Sequence, residues 1–177
     1  MSTSILVAGI GNIFLGDDAF GVEVVRRLSG RSLPDGVRVV DFGIRSYDLA
    51  YAFLDGHDVT ILVDATQRGG EPGTLYTIEP DLVALDDQPD HQLDAHGMNP
   101  LAVLRLVKAM GGEFRRVILV GCEPGWLGDE DEGGMGLSQP VEGAIEEAVN
   151  MVEALIGRFA EGQDESAIRR DAEVAKI

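Results

Sequence analysis

The chain is poor in cysteine, in histidine and in positive charge. A single cysteine, Cys122, rules out an intrachain disulfide framework and fits a reducing cytoplasm. Only 14 Lys and Arg residues stand against 31 Asp and Glu, for a net charge of −17. Such a surface repels phosphate backbones, so nucleic acid is not an expected partner. It tolerates cations or a basic protein segment, and it favours solubility. No apolar run approaches the ~20 residues that span a bilayer, so membrane insertion is not expected. Met1-Ser2-Thr3-Ser4 has no basic flank, and the short apolar stretch behind it reads as a first strand rather than a signal peptide. A Gly-x-Ser-x-Gly elbow, internal repeats and an interior linker are all missing.

What remains suits one domain with its own core, over residues 1–157, followed by a charged tail, 158–177, that is expected to fray. Apolar runs predict buried strands at 4–9, 37–41, 59–64 and 116–121, with an edge strand or hairpin arm at 73–78 after Pro72. Helical spacing predicts helices over 18–28, 46–54, 99–110 and from Ser138 or Gln139 onward. Asp17 or Asp18 is the expected cap of the first helix and Ser46 of the second. Asn99 with Pro100 is the expected start of the third. The order of elements predicts an α/β three-layer sandwich, a mostly parallel sheet between helices. No long exposed apolar stripe is legible, so a monomer is expected.

In open α/β sheets the ligand crevice lies beyond the carboxyl ends of the strands. The predicted strand ends place Asn12, Asp17 and Asp18 there after the first strand, Asp41 after the second, Asp64 after the third and Glu123 after the last. Like charges so close raise one another's pKa unless a cation or hydrogen-bond donors compensate. Two readings compete. Gly9-Ile10-Gly11 and Asp41 outline a dinucleotide fingerprint, but Phe14 stands where its third glycine belongs, and Asp17 and Asp18 would oppose a pyrophosphate. The other reading is a metal site of Asp18, Asp64 and His96, two carboxylates and an imidazole that leave positions open for substrate. His91 competes with His96 in the same acidic stretch, and His57 reads as a surface turn residue. Cys122, behind a buried strand, reads as a packed thiol.

The block Gly9-Ile10-Gly11-Asn12, then Gly16-Asp17-Asp18-Ala19-Phe20-Gly21, resembles the first motif of the hydrogenase maturation proteases. Asp41-Phe42-Gly43, Leu62-Val63-Asp64-Ala65, Asp94-Ala95-His96-Gly97, Val120-Gly121-Cys122-Glu123-Pro124 and Leu137-Ser138 continue the match in order, over residues 4–156. The resemblance implies a twisted, mainly parallel five-stranded sheet. It also implies an endopeptidase that trims the C-terminal extension of a nickel–iron hydrogenase large-subunit precursor. Asp18, Asp64 and His96 would be its metal ligands and catalytic centre, with Asp41 a further acidic residue near the cleft. Nickel already in the precursor would be the recognition signal, and other divalent ions would substitute in vitro. A non-catalytic, metal-dependent docking or chaperone protein for the same precursor is the alternative. Ala19 departs from the glycine that many members carry, and the acidic stretch 125–136 falls where members vary and would help select the partner subunit.

Overall fold

The computed structural model describes residues 2–83, 85, 99–128 and 133–162. Five strands, β1 (Ile5–Ile10), β2 (Val37–Gly43), β3 (Val59–Ala65), β4 (Leu75–Ile78) and β5 (Arg116–Cys122), form one sheet in the order β2-β1-β3-β5-β4. The pairs β1–β2, β1–β3 and β3–β5 are parallel, and β4 runs antiparallel along β5 as the edge strand. Among the described residues four helices cover it: α1 (Phe20–Leu28), α2 (Ser46–Leu54), α3 (Pro100–Ala109) and α4 (Gln139–Ala160).

The central strands are apolar on both faces because both faces are covered. Ile5, Val7, Ile61 and Ile118 point into a core closed by α1 and α4. Leu6, Ala8, Leu62 and Leu119, one residue out of phase, point into a second core closed by α2 and α3. This is the three-layer sandwich with a mostly parallel sheet that the sequence predicts.

Besides shifts of one or two residues in β1, β2, β3, β5 and α3, element starts and stops depart from the sequence reading in four places. The first helix does not start at Asp18. A single 3-10 turn, Asp17–Ala19, precedes α1, and neither aspartate caps it through its side chain. Ser46 is the first residue of α2 rather than its cap, and Arg45 precedes the helix without a side-chain cap. β4 begins at Leu75, because Gly73 turns at φ 86° and donates its N–H to the Glu123 carbonyl at 2.8 Å. α4 runs past Gly157 to Ala160, since Phe159 continues the inner face beyond Leu155 and Ile156 and packs into the core. The Thr3 hydroxyl donates to the Phe159 carbonyl at 3.1 Å, tying the two ends of the domain together. Tail residues 163–177 lie outside the described residues. By contrast α3 starts as predicted: Asn99 Oδ1 accepts the Leu101 N–H at 2.9 Å and Pro100 opens the helix. An apolar stripe not legible in the sequence is present on α2, where Tyr47, Tyr51 and Leu54 are exposed at helical spacing.

Candidate active site

The chain leaves β1 for β2 on one side and later returns to β3 on the other. That reversal is the switch point at which α/β sheets open a crevice beyond their strand ends. Asp18 comes from the turn after β1, and Asp64 sits near the end of β3, in register with Gly121 of β5. Both line one cleft of about 530 Å³, with Thr66 and Arg68 on the segment after β3 and Leu62 and Leu104 beneath.

Glycine brings Asp18 to this position. Gly11 has φ 139°, and a Cβ there would collide with the Asp18 carbonyl. Gly21 lets α1 sit on the sheet, since a Cβ on it would run into the carbonyls of Val63 and Ile10. The close helix–strand approach that the missing third glycine at Phe14 does not supply is therefore made from the helix. Ala19 needs no such freedom. Its φ of −71° and ψ of −7° are ordinary right-handed values, which explains the tolerated departure from glycine.

The two cleft carboxylates are held under electrostatic tension. Burial raises the Asp18 pKa, offset in part by the Asn12 N–H, which donates to Oδ2 at 2.7 Å. Asp64 is buried, and its pKa is raised well above the ordinary value by that burial and then by the charge of Asp18. The Ala65 N–H opposes the shift. A cation between them would relieve both effects. Among the described residues no group of three potential His, Cys, Asp or Glu ligands assembles. His96 and its competitor His91 lie outside the described residues.

The remaining candidates are placed elsewhere. Asp41 lies on β2, beside Gly9, with Arg26 Nε at 3.8 Å, and is not among the described residues lining the cleft. His57 is half-buried at the amino ends of the strands, its Nδ1 2.9 Å from Ser4 Oγ. Cys122 is buried in the core as a packed thiol, its pKa pushed up to about 12 by burial and the nearby charges of Asp17 and Glu123.

Asp17 and Glu123 turn out to be internal fasteners. Asp17 is fully buried, and its carboxylate accepts the N–H groups of Gly125, Trp126 and Ser138 at 2.7, 2.8 and 2.6 Å and the Ser138 hydroxyl at 2.7 Å. Glu123 accepts the N–H groups of Arg68 and Gly69 at 2.8 and 3.1 Å and the Tyr76 hydroxyl at 2.9 Å. Burial alone would raise the Glu123 pKa, but these donors outweigh it and hold it below the ordinary range. The clamp also sets Arg68, which sequence reasoning missed, at the cleft with its guanidinium 5.2 Å above the Tyr76 ring. Gly69-Gly70 just past a strand was the only sequence signal for it.

A family model described as hydrogenase maturation protease matches residues 22–155. The hydrogenase 2 maturation protease of Escherichia coli K12 is 33% identical over 155 residues, covering 86% of this chain and 90% of that protein. The hydrogenase expression/formation protein HupD of Rhizobium leguminosarum is 37% identical over 146 residues, covering 82% and 70%. Among solved structures, the hydrogenase maturating endopeptidase HybD from E. coli superposes with a TM-score of 0.73 at 30% identity, covering 89% of this chain and 94% of that one. A hydrogenase 2 maturation peptidase from a Thaumarchaeota archaeon gives 0.66 at 32%, covering 88% and 99%.

Proposed function

The chain belongs to the hydrogenase maturation protease family, a family of endopeptidases, and from that premise we propose that it removes the C-terminal extension of a nickel-loaded nickel–iron hydrogenase large-subunit precursor. The observation that best supports this reading is the meeting of Asp18 and Asp64 in one switch-point cleft, with the pKa of each raised. Two carboxylates that resist ionisation side by side are a ready pair of oxygen ligands for a cation that arrives with the substrate.

In this reading nickel is part of the substrate. It is held by precursor thiolates, and Asp18, Asp64 and His96 complete its shell, a mixture of S, O and N donors that nickel accepts. A precursor without nickel leaves the carboxylates uncompensated and binds poorly, which makes processing a check on metal loading. Water then adds to the carbonyl carbon just beyond the precursor's last metal-binding cysteine motif. The C–N bond breaks, and the leaving amine takes up a proton. Asp41, turned toward Arg26, has no part in this scheme.

Intact-mass measurement of nickel-loaded precursor, before and after incubation, tests the proposal. Loss of a short C-terminal peptide with the unmutated chain, and none with Asp64→Asn or His96→Ala, is the expected result. A stable complex with the unmutated chain but an unchanged mass would move the reading to a docking protein. Normal processing by His96→Ala would remove that histidine from the ligand set.

A further inference from the structure

The turn after β1 and the loop between β5 and α4 are zipped together beside the cleft. The Gly16 N–H donates to the Gly134 carbonyl at 2.7 Å, and the Gly134 N–H returns to the Phe14 carbonyl at 2.9 Å. The Asp17 N–H donates to the Trp126 carbonyl at 2.9 Å and the Gly128 N–H to the Leu15 carbonyl at 3.2 Å. From below, the buried Asp17 carboxylate grips the amides of Gly125 and Trp126. Trp126 is seated on glycine: a Cβ on Gly16 or on Gly134 would collide with its indole.

This scaffold does not bury what it holds. Phe14 is 58% exposed, Trp126 45%, Leu127 43% and Met135 71%. Single exposed apolar residues are common, but four large ones carried on two cross-bonded segments form a patch, and such patches mark interaction sites. Tryptophan seated rigidly and left open to solvent is also the residue type that anchors protein interfaces.

We propose that this platform docks the precursor protein, through a precursor face that sets apolar side chains among lysines and arginines. This rests on the precursor being the substrate. Two observations choose the occupant. The platform is built on the same Phe14–Asp18 stretch that delivers Asp18 to the cleft, so a protein seated on it meets the turn that carries that carboxylate. The chain carries a net charge of −17. A basic rim on the partner complements that charge and speeds encounter, while a second copy of this chain is repelled.

Trp126 is the single tryptophan of the chain, so 5-fluorotryptophan labels the platform alone. Adding unlabelled nickel-loaded precursor to the labelled chain should shift its fluorine resonance. In processing kinetics, Met135→Lys and, separately, Leu127→Ser should each raise KM about tenfold with the loss in KM rather than kcat. Added salt should raise KM for the unmutated chain. A resonance that stays in place while the precursor is cut, or variant KM values within about twofold of the unmutated chain, overturns the docking site and leaves the protease reading intact. A resonance that shifts while the precursor stays uncut retains the docking site and removes the protease reading. A resonance that moves with the concentration of the chain alone assigns the platform to self-association and overturns the proposal.

Discussion

Asp17 and Asp18 are adjacent, chemically identical and opposite in role. Asp17 turns inward and meets four donors, so its charge is fully compensated by geometry. Asp18 turns to the cleft, where one backbone N–H does not offset burial and its pKa rises. Replacing Asp17 by Ala removes a buried acceptor from three partly buried N–H groups, and a loss of about 2–3 kcal/mol in urea unfolding is expected, with processing lost through disorder of the turn. Asp64→Asn should act in the opposite sense. The folded-state pKa of Asp64 is raised, so its contribution to stability is full below the ordinary carboxylate range and is lost as pH rises through the raised value. Deprotonation of Asp64 thus opposes folding. Asp64→Asn is therefore expected to melt about 2–4 °C higher than the unmutated chain at pH 7 while being inactive. The gap should narrow as melts are repeated at falling pH, and a gap that widens toward acid would contradict the assignment.

At the scale of elements, the edge strand β4 and the segment after β3 are organised by one carboxylate at the end of β5. Glu123 gathers the Arg68 and Gly69 amides and the Tyr76 hydroxyl, and its own N–H donates to the Thr74 carbonyl at 2.8 Å. Its folded pKa is depressed, so the stability it contributes is present above the ordinary glutamate value and is lost as pH falls through the depressed one. Glu123→Gln should unfold at lower urea than the unmutated chain at pH 7, and the two curves should converge in acid, the reverse of the Asp64 pattern. Elements whose signals are local were legible in the sequence. Asn99-Pro100 specifies a helix start by its own hydrogen bond and its missing N–H, and the apolar runs of β1, β3 and β5 specify burial on both faces. Boundaries set by distant partners were not. The start of β4 depends on Glu123, the turn before α1 depends on the far loop that Asp17 binds, and the end of α4 depends on where Phe159 finds the core.

For the whole molecule, the charge of −17 is the dominant long-range term. Self-repulsion of that size destabilises the compact state and is screened by salt. Melting temperature at neutral pH should therefore rise with added sodium chloride, most steeply at low ionic strength, and a salt-independent melt would show that ion pairs such as Arg27–Glu142, at 2.7 Å, already balance the field.

The sequence by itself determined the α/β class, the mostly parallel sheet and the family resemblance, and it nominated Asp18 and Asp64. Apolar periodicity carries the class and the sheet, the ordered motifs carry the resemblance, and carboxylates at strand ends nominate the two aspartates, all local properties of the chain. Only the tertiary structure decided which carboxylates share a cleft. Strand order sends Asp41 to the far side of β1 and brings β3 beside the turn that carries Asp18. Only the tertiary structure separated Asp17 from Asp18, because the donors that claim Asp17 lie more than a hundred residues along the chain. It alone also raised Phe14, Trp126, Leu127 and Met135 together beside the site, since packing and not periodicity determines which apolar side chains are left facing water.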